Sequence, residues 1–220
     1  MKGKSALVTG GTRGIGLAVA NRLRKVGVTV HAWGHEVDVR DENAVAQAVK
    51  QLGDIDICVN SAGVFGPVGP ALAYPMEAWG DVLAVNLTGT MLMCKHVIPG
   101  MVKRGYGRVV NLSSVVVKDT NPNAPAYCVS KAGVEALTRC LALETAKTGV
   151  TVNCVRPAAV NTDLFKNVPK DKIDAMLAKC PLGRFVTVEE VAALVCWLAS
   201  EECSATTGAA FDVAGGRCQF

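Results

Sequence analysis

Along this chain, short apolar runs alternate with segments whose apolar residues recur every three or four positions. The runs at 5–8, 28–33, 55–59, 108–113, 151–155 and 209–213 read as strands, several of them apolar enough to be buried on both faces. Between the first two, Ile15, Val19, Leu23 and Val26 form a helical stripe that Gly27 stops. A second stripe, Val45, Val49 and Leu52, has Asp41 as its cap and Gly53 as its end. A long helical region covers 77–104 and tolerates Pro99 near its end. Another covers 126–146, with Val134, Leu137, Leu141 and Ala142 facing the core or a neighbouring subunit. Shorter helices are predicted around 172–178 and at 188–199, and the Gly- and Pro-rich residues 64–75 read as a loop. Strands alternating with helices predict an α/β fold: a mostly parallel, doubly wound sheet covered on both faces. A chain of 220 residues, half of them hydrophobic, can bury one such core as a single domain over 1–220.

Composition narrows the partners. The net charge of +4 is spread along the chain without a basic block or aromatic–basic alternation, so nucleic acid is not implied. No uninterrupted apolar run approaches the roughly 18 residues of a membrane span, and residues 1–4 lead straight into a strand. The nine cysteines, including Cys58, Cys94, Cys140, Cys154 and Cys196 inside apolar runs, form no Cys-x-x-Cys pair and no cluster at metal spacing. Buried reduced thiols point to a cytoplasmic protein with no metal site.

The chemistry centres on Tyr127-Cys128-Val129-Ser130-Lys131. A tyrosine and a lysine four residues apart on a helix share a face, so the ammonium can approach the phenol. A free phenol, with a pKa near about 10, is a poor base at neutral pH. A neighbouring positive charge would lower that value and make Tyr127 a usable general acid/base. Ser114, at the end of the apolar run 108–113, could hold a substrate oxygen while Tyr127 exchanges the proton. Upstream, Thr9-Gly10-Gly11-Thr12-Arg13-Gly14-Ile15-Gly16 links a strand to a helix. Glycines there let backbone N–H groups approach a pyrophosphate at the positive end of the helix.

Together with Asn60-Ser61-Ala62-Gly63, Asn86 and Pro157, these residues resemble the short-chain dehydrogenase/reductase family over nearly the whole chain. The resemblance implies a Rossmann-type fold and an NAD(P)-dependent oxidoreductase that interconverts a carbonyl and a secondary alcohol by hydride transfer. It makes Asn86, Ser114, Tyr127 and Lys131 the catalytic set. Asn86 would hold a relay water on its backbone carbonyl, and Lys131 would also hold the ribose hydroxyls. Gly10, Thr12, Arg13, Gly14, Ile15 and Gly16 would cradle the phosphates, Asp38 and Val39 would border the adenine, and Asn60, Ala62 and Gly63 would line the cofactor. Pro157, Val160 and Thr162 would fix the nicotinamide, Val160 through its N–H and Thr162 through its hydroxyl. Narrower readings are a 3-oxoacyl thioester (acyl-carrier) reductase, with Lys103, Arg104 and Lys147 available to an acidic carrier, or a sugar or polyol dehydrogenase. A non-enzymatic dinucleotide sensor is disfavoured, because relatives that lose catalysis usually lose the tyrosine or the lysine.

The chain also departs from the family pattern. Asn-Ser-Ala-Gly replaces Asn-Asn-Ala-Gly, Pro-Ala replaces Pro-Gly, and Val117 stands where glycine is usual. After the second strand, Gly34-His35-Glu36 leads almost directly to Val37-Asp38-Val39, leaving no room for the helix usual there. A short loop and a thinner adenosine flank are expected. Gly34, at the end of that strand, carries no acid to repel a 2′-phosphate. His35 beside it and Arg13 in the glycine turn favour NADP(H), with NAD(H) the alternative should Glu36 supply the missing carboxylate. The substrate would be a small carbonyl or alcohol, read by loops at 64–75 and 115–125 and by a variable segment at about 163–186. The family resemblance implies a homotetramer built on the helices at 77–104 and 126–146.

Overall fold

A computed structural model describes residues 1–160 and 170–217. Six strands form one sheet: β1 (Ser5–Thr9), β2 (Thr29–Trp33), β3 (Ile57–Asn60), β4 (Gly107–Leu112), β5 (Val150–Pro157) and β6 (Ala210–Val213). Their spatial order is β2-β1-β3-β4-β5-β6, and every pairing is parallel. The order reverses after β1, so a crevice opens at the carboxyl ends of β1 and β3, where doubly wound folds place their ligands.

Side-chain alternation along the strands sorts the core into two layers. Ala6, Val8, Ile57, Val59, Val110 and Leu112 face α1 (Gly14–Lys25) and α7 (Val188–Leu198), where Val19, Leu23, Val191, Val195 and Leu198 meet them. Leu7, Cys58, Val109 and Val152 face the opposite way, onto Val45 and Val49 of α2 (Glu42–Leu52), Met93, Val97 and Met101 of α4 (Gly89–Arg104) and Ala142 of α5 (Pro125–Thr145). Each fully buried Val, Leu or Ile contributes roughly 1.5–3 kcal/mol relative to leaving it in water. A polar substitution at Val59 or Val109 would remove that term at the sheet's centre, where β3 and β4 are buried at every position.

The helix boundaries follow local chemistry. Asp41 accepts from the N–H groups of Asn43 (2.9 Å) and Ala44 (3.1 Å) to start α2. Gly53, at φ 72°, stops it. Thr187 and Glu190 make a reciprocal capping box for α7. The long helix predicted at 77–104 runs from Met76 to Arg104 as α3 (Met76–Leu83), a π turn over Ala84–Thr88, and α4, with Pro99 inside it. By length and composition this helix could cross a membrane, yet half of its most apolar window is buried. It packs against the sheet as a core helix. A short helix, α6 (Lys170–Leu177), precedes α7.

No strand forms at residues 37–39. With no helix or strand after it before α2, β2 is left as an edge whose residues are mostly half-exposed. Arg24 Nη2 reaches the carbonyl of Val30 at 3.4 Å and covers part of that edge.

Candidate active site

The crevice is built on a polar row across the carboxyl ends of three strands. Thr9, Asn60 and Asn111 are register partners on β1, β3 and β4. Asn60 Nδ2 donates to Asn111 Oδ1 (2.8 Å), and Asn111 Nδ2 donates to Thr138 Oγ1 on α5 (2.9 Å). Thr9 Oγ1 accepts from the N–H groups of Ser61 and Ala62 at 3.1 and 3.2 Å. The Asn-Ser-Ala-Gly turn therefore keeps its strand-tying role with serine in its second place.

On the near side of the crevice, α1 begins at Gly14 after an extended Arg13 and has no side-chain cap, so its first N–H groups remain available to an anion. Gly16 has to be glycine: a Cβ there would lie 2.2 Å from the Gly10 carbonyl oxygen. At Gly10 a Cβ would lie 3.0 Å from the backbone of Ala62, so this turn and the Asn-Ser-Ala-Gly turn meet backbone to backbone.

On the far side stand the proposed catalytic residues. Ser114, following β4, is buried, and its hydroxyl is hydrogen-bonded to the Tyr127 phenol. Lys131, one turn further along α5, is buried and donates to the Leu112 carbonyl at 2.6 Å, its Nζ lying 5.7 Å from the Tyr127 ring centroid. Asn86 lies in the π turn, a distortion that recurs at functional sites. Its amide bridges three segments instead of bonding its own helix: Oδ1 accepts from Val64 N–H (2.8 Å), and Nδ2 donates to the Val64 carbonyl (2.9 Å) and to Ser130 Oγ (3.0 Å). Its backbone carbonyl accepts from Thr90 Oγ1 at 2.8 Å. Gly63 faces this group, since a Cβ there would sit 3.3 Å from Asn86 Oδ1 and 3.6 Å from Lys131 Nζ.

The electrostatics differ from the expectation. Burial pushes the Tyr127 phenol above its ordinary value, and the Ser114 hydroxyl offsets this only in part. Burial also brings Lys131 down to about 8. The ammonium is held by Leu112 instead of lying against the phenol oxygen, so the anticipated lowering of Tyr127 by Lys131 is absent from this arrangement.

At the adenosine end, Val39 is buried and lines a small recess with Thr9, Asn60, Ala62 and Gly89. Asp38 is exposed and paired with Arg40 at 2.7 Å. Arg13 and His35 are exposed as well. Glu36 turns back onto the end of β2: its Oε1 accepts from the Gly34 N–H at 2.7 Å, and that bond holds its carboxyl below the usual range. A Cβ at Gly34 would lie 2.9 Å from both Glu36 Oε2 and Thr12 Oγ1. The carboxylate thus occupies the space that a side chain at Gly34 would fill. Pro157 ends β5 and Val160 bridges to Val186, while Thr162 lies outside the described residues.

Two features escaped the sequence. The Phe65 ring packs on Tyr127 with centroids 4.8 Å apart, and Ser130 Oγ sits between Asn86 and the Tyr127 carbonyl, donating to the latter at 2.8 Å. Ser130 could have been noticed as a hydroxyl within the Tyr-x-x-x-Lys turn. Nothing marks Phe65 except its place after Asn-Ser-Ala-Gly.

A sequence model described as enoyl-(acyl carrier protein) reductase matches residues 31–217. The chain belongs to the short-chain dehydrogenase/reductase family. Among curated members, the 2-dehydro-3-deoxy-L-rhamnonate dehydrogenase (NAD(+)) of Sphingomonas sp. (strain SKA58) is 41% identical, covering 99% of this chain and 96% of the relative. The 3-oxoacyl-[acyl-carrier-protein] reductase of Haemophilus influenzae is 34% identical, with 98% of each covered. Among solved structures, NAD+-bound xylitol dehydrogenase superposes with a TM-score of 0.91 at 29% identity, covering 98% of this chain and 99% of that one. The alignment with the first relative spans 240 positions against a chain of 220 residues, which places a deletion in this member of the family. As a short-chain dehydrogenase/reductase, the protein is an oxidoreductase that uses a nicotinamide dinucleotide to interconvert a carbonyl and an alcohol. The uncapped start of α1, the close backbone turns and Gly63 before Lys131 fit such a cofactor.

Proposed function

We propose that Tyr127, Ser114 and Lys131 carry the chemistry, on the strength of one observation: a buried serine hydroxyl hydrogen-bonded to the Tyr127 phenol, with a buried lysine one turn away. The bound dinucleotide supplies or accepts the hydride. Ser114 orients the substrate oxygen, and Tyr127 donates a proton to it in reduction and takes one in oxidation. Lys131, with Gly63 opening space beside it, holds the ribose hydroxyls and passes protons towards Asn86, whose carbonyl anchors the relay water. Pro157, Val160 and Thr162 fix the nicotinamide face. The deciding experiment is Tyr127→Phe. Loss of turnover with dinucleotide binding intact supports the roles, and full turnover would discard them.

Arg13, His35 and the acid-free Gly34 favoured NADP(H). We propose that Glu36 reverses that preference to NAD(H), because its ionised carboxylate fills the space at Gly34, where it would accept from a ribose 2′-hydroxyl and repel a 2′-phosphate. Asp38 and Val39 would border the adenine. The NAD(+)-named relative at 41% identity and the NAD+-bound xylitol dehydrogenase agree with this assignment. The same two relatives make a polyol or sugar acid the first substrate class to test, with 3-oxoacyl thioesters second. Assaying NAD+ and NADP+ with xylitol and 2-keto-3-deoxy sugar acids, and NADH and NADPH with an acetoacetyl thioester, separates these readings. Segment 163–186 is proposed to close over the substrate, the protein to be cytosolic, and the assembly to be a tetramer across α4 and α5. Both helices carry exposed apolar residues, Met91 and Val102 on α4 and Val129 and Leu143 on α5. Light scattering that gave a 23.0 kDa monomer would overturn the tetramer.

A further inference from the structure

Behind the residues assigned to the reaction lies a polar cluster that those roles leave unused. Glu135 sits one helical turn beyond Lys131 on α5 and is 3% exposed. Its Oε1 accepts from Ser113 Oγ at 2.7 Å and from Arg156 Nε at 2.6 Å, and its Oε2 accepts from Arg156 Nη2 at 2.5 Å. Ser113 Oγ also lies 3.3 Å from the Lys131 carbonyl. Arg156 continues to Asp212, its register neighbour on β6, at 3.4 Å, and Asp212 holds Lys118 at 2.6 Å.

A carboxylate is kept in a protein interior only where it is paired and its lone pairs are met. Glu135 meets that condition through a planar guanidinium fork and a hydroxyl, which together constrain direction as well as distance. The three anchoring positions are informative. Ser113 directly precedes Ser114, Glu135 follows Lys131 by one turn, and Arg156 directly precedes Pro157. The pair therefore joins the three segments whose spacing decides whether serine and phenol meet.

We propose that Glu135 and Arg156 are positioning residues for the reaction, setting α5 against the ends of β4 and β5 so that Ser114 and Tyr127 keep their hydrogen bond. Through Asp212 and Lys118 the same network steadies the loop that follows Ser114. This rests on the roles given to Ser114 and Tyr127 above. A purely structural staple would instead contribute stability alone.

The test replaces both charges together, Glu135→Met with Arg156→Met, because apolar residues of similar volume commonly maintain a fold when a buried ion pair is removed whole. The probe is whichever of xylitol, a 2-keto-3-deoxy sugar acid or an acetoacetyl thioester the wild type turns over best. The expected kcat falls on the order of ten- to a hundredfold, while the KM for the dinucleotide changes less than about threefold, since the glycine turn lies elsewhere. The substrate deuterium isotope effect should approach its intrinsic value as hydride transfer becomes limiting. Arg156→Lys, which keeps the charge and loses the fork, should fall between. Should the double variant not fold, Arg156→Lys decides alone. Wild-type kcat in a folded double variant, or in Arg156→Lys in that case, overturns the proposal. If Tyr127→Phe also keeps wild-type turnover, the failure belongs to the catalytic roles and not to the pair.

Discussion

The two flanks of this sheet are constructed on different terms. Around β4, β5 and α5, polar side chains are buried and interlocked: Asn60 to Asn111 to Thr138, Asn86 to Val64 and Ser130, and Ser113 to Glu135 to Arg156. Around β2 the side-chain contacts lie at the surface, in the exposed pairs of Asp38, Arg40 and Asp81 and in the Glu36 bond to Gly34. Buried networks fix geometry because each unmet group is costly, whereas exposed pairs are worth about 0–1 kcal/mol. Among the described residues the second flank has no strand outside β2 and no helix between β2 and α2. The first flank, where the chemistry requires sub-ångström placement, has kept its connections.

If that contrast holds, the largest effect comes from the interlocked side. Tyr127→Phe should lower kcat about 10²- to 10⁴-fold, the usual worth of a positioned proton donor. Dinucleotide titration followed by tryptophan fluorescence should be almost unchanged. A variant that lost dinucleotide binding and turnover together would show that the two flanks are less separable than the structure indicates.

Asn86→Ala comes next. It leaves the Val64 N–H and carbonyl without their partner and removes one donor to Ser130 Oγ, which keeps its bond to the Tyr127 carbonyl; each polar group left unmet away from water costs about 1–3 kcal/mol. Urea unfolding should report a loss in that range, with turnover falling as the Phe65 loop and Tyr127 lose their common anchor. Unchanged stability would mean that water replaces the amide freely.

Lys131 gives a pH signature of comparable size. Its folded value of about 8 lies below the ordinary 10.5, so between these values the folded protein has released a proton that the unfolded chain retains. Stability contributed at this position therefore rises with pH from about 8 towards 10.5. Other groups titrate in the same window, so the comparison is with Lys131→Met, which lacks this proton. Wild type should gain on the variant between pH 7.5 and 10 in denaturant midpoint, and a constant difference would contradict the buried, poorly solvated ammonium.

The contrast also explains what was legible in the sequence. Strand and helix positions, the Asp41 cap, the glycine turn and the Tyr127–Lys131 spacing were readable because each is dictated by local periodicity or by a backbone requirement, such as the Gly16 approach to Gly10. The Glu135–Arg156 pair was not, since its partners are 21 residues apart and meet only when β5 packs beneath α5. The phenol's direction of shift was missed for a related reason. Spacing put Lys131 on the correct face, but the Leu112 carbonyl that captures its ammonium belongs to another element, and burial dominates once the helix docks. Loss of the helix after β2 was visible as missing length. That the shortcut folds Glu36 back onto Gly34 was visible only as one of two possibilities.

Glu36 gives the smallest of these effects and the one most specific to the shortened flank. Its carboxylate occupies the place of a side chain that Gly34 does not have, held by a single backbone hydrogen bond at 2.7 Å. Glu36→Gln preserves shape and removes the charge, so repulsion of a 2′-phosphate is lost while a 2′-hydroxyl can still be bonded. The ratio of kcat/KM for NADH over NADPH should fall about tenfold, or roughly 1.4 kcal/mol, mostly through improved use of NADPH. Thermal stability should barely move, because the residue is exposed and its bond lies at the sheet's edge. Arg13→Ala in the same background should reduce the NADPH gain, since a guanidinium in the glycine turn would supply a fork for the added phosphate. A wild-type enzyme that already prefers NADPH, with Glu36→Gln leaving the ratio unchanged, would return the preference to Arg13 and His35 and remove Glu36 from the site.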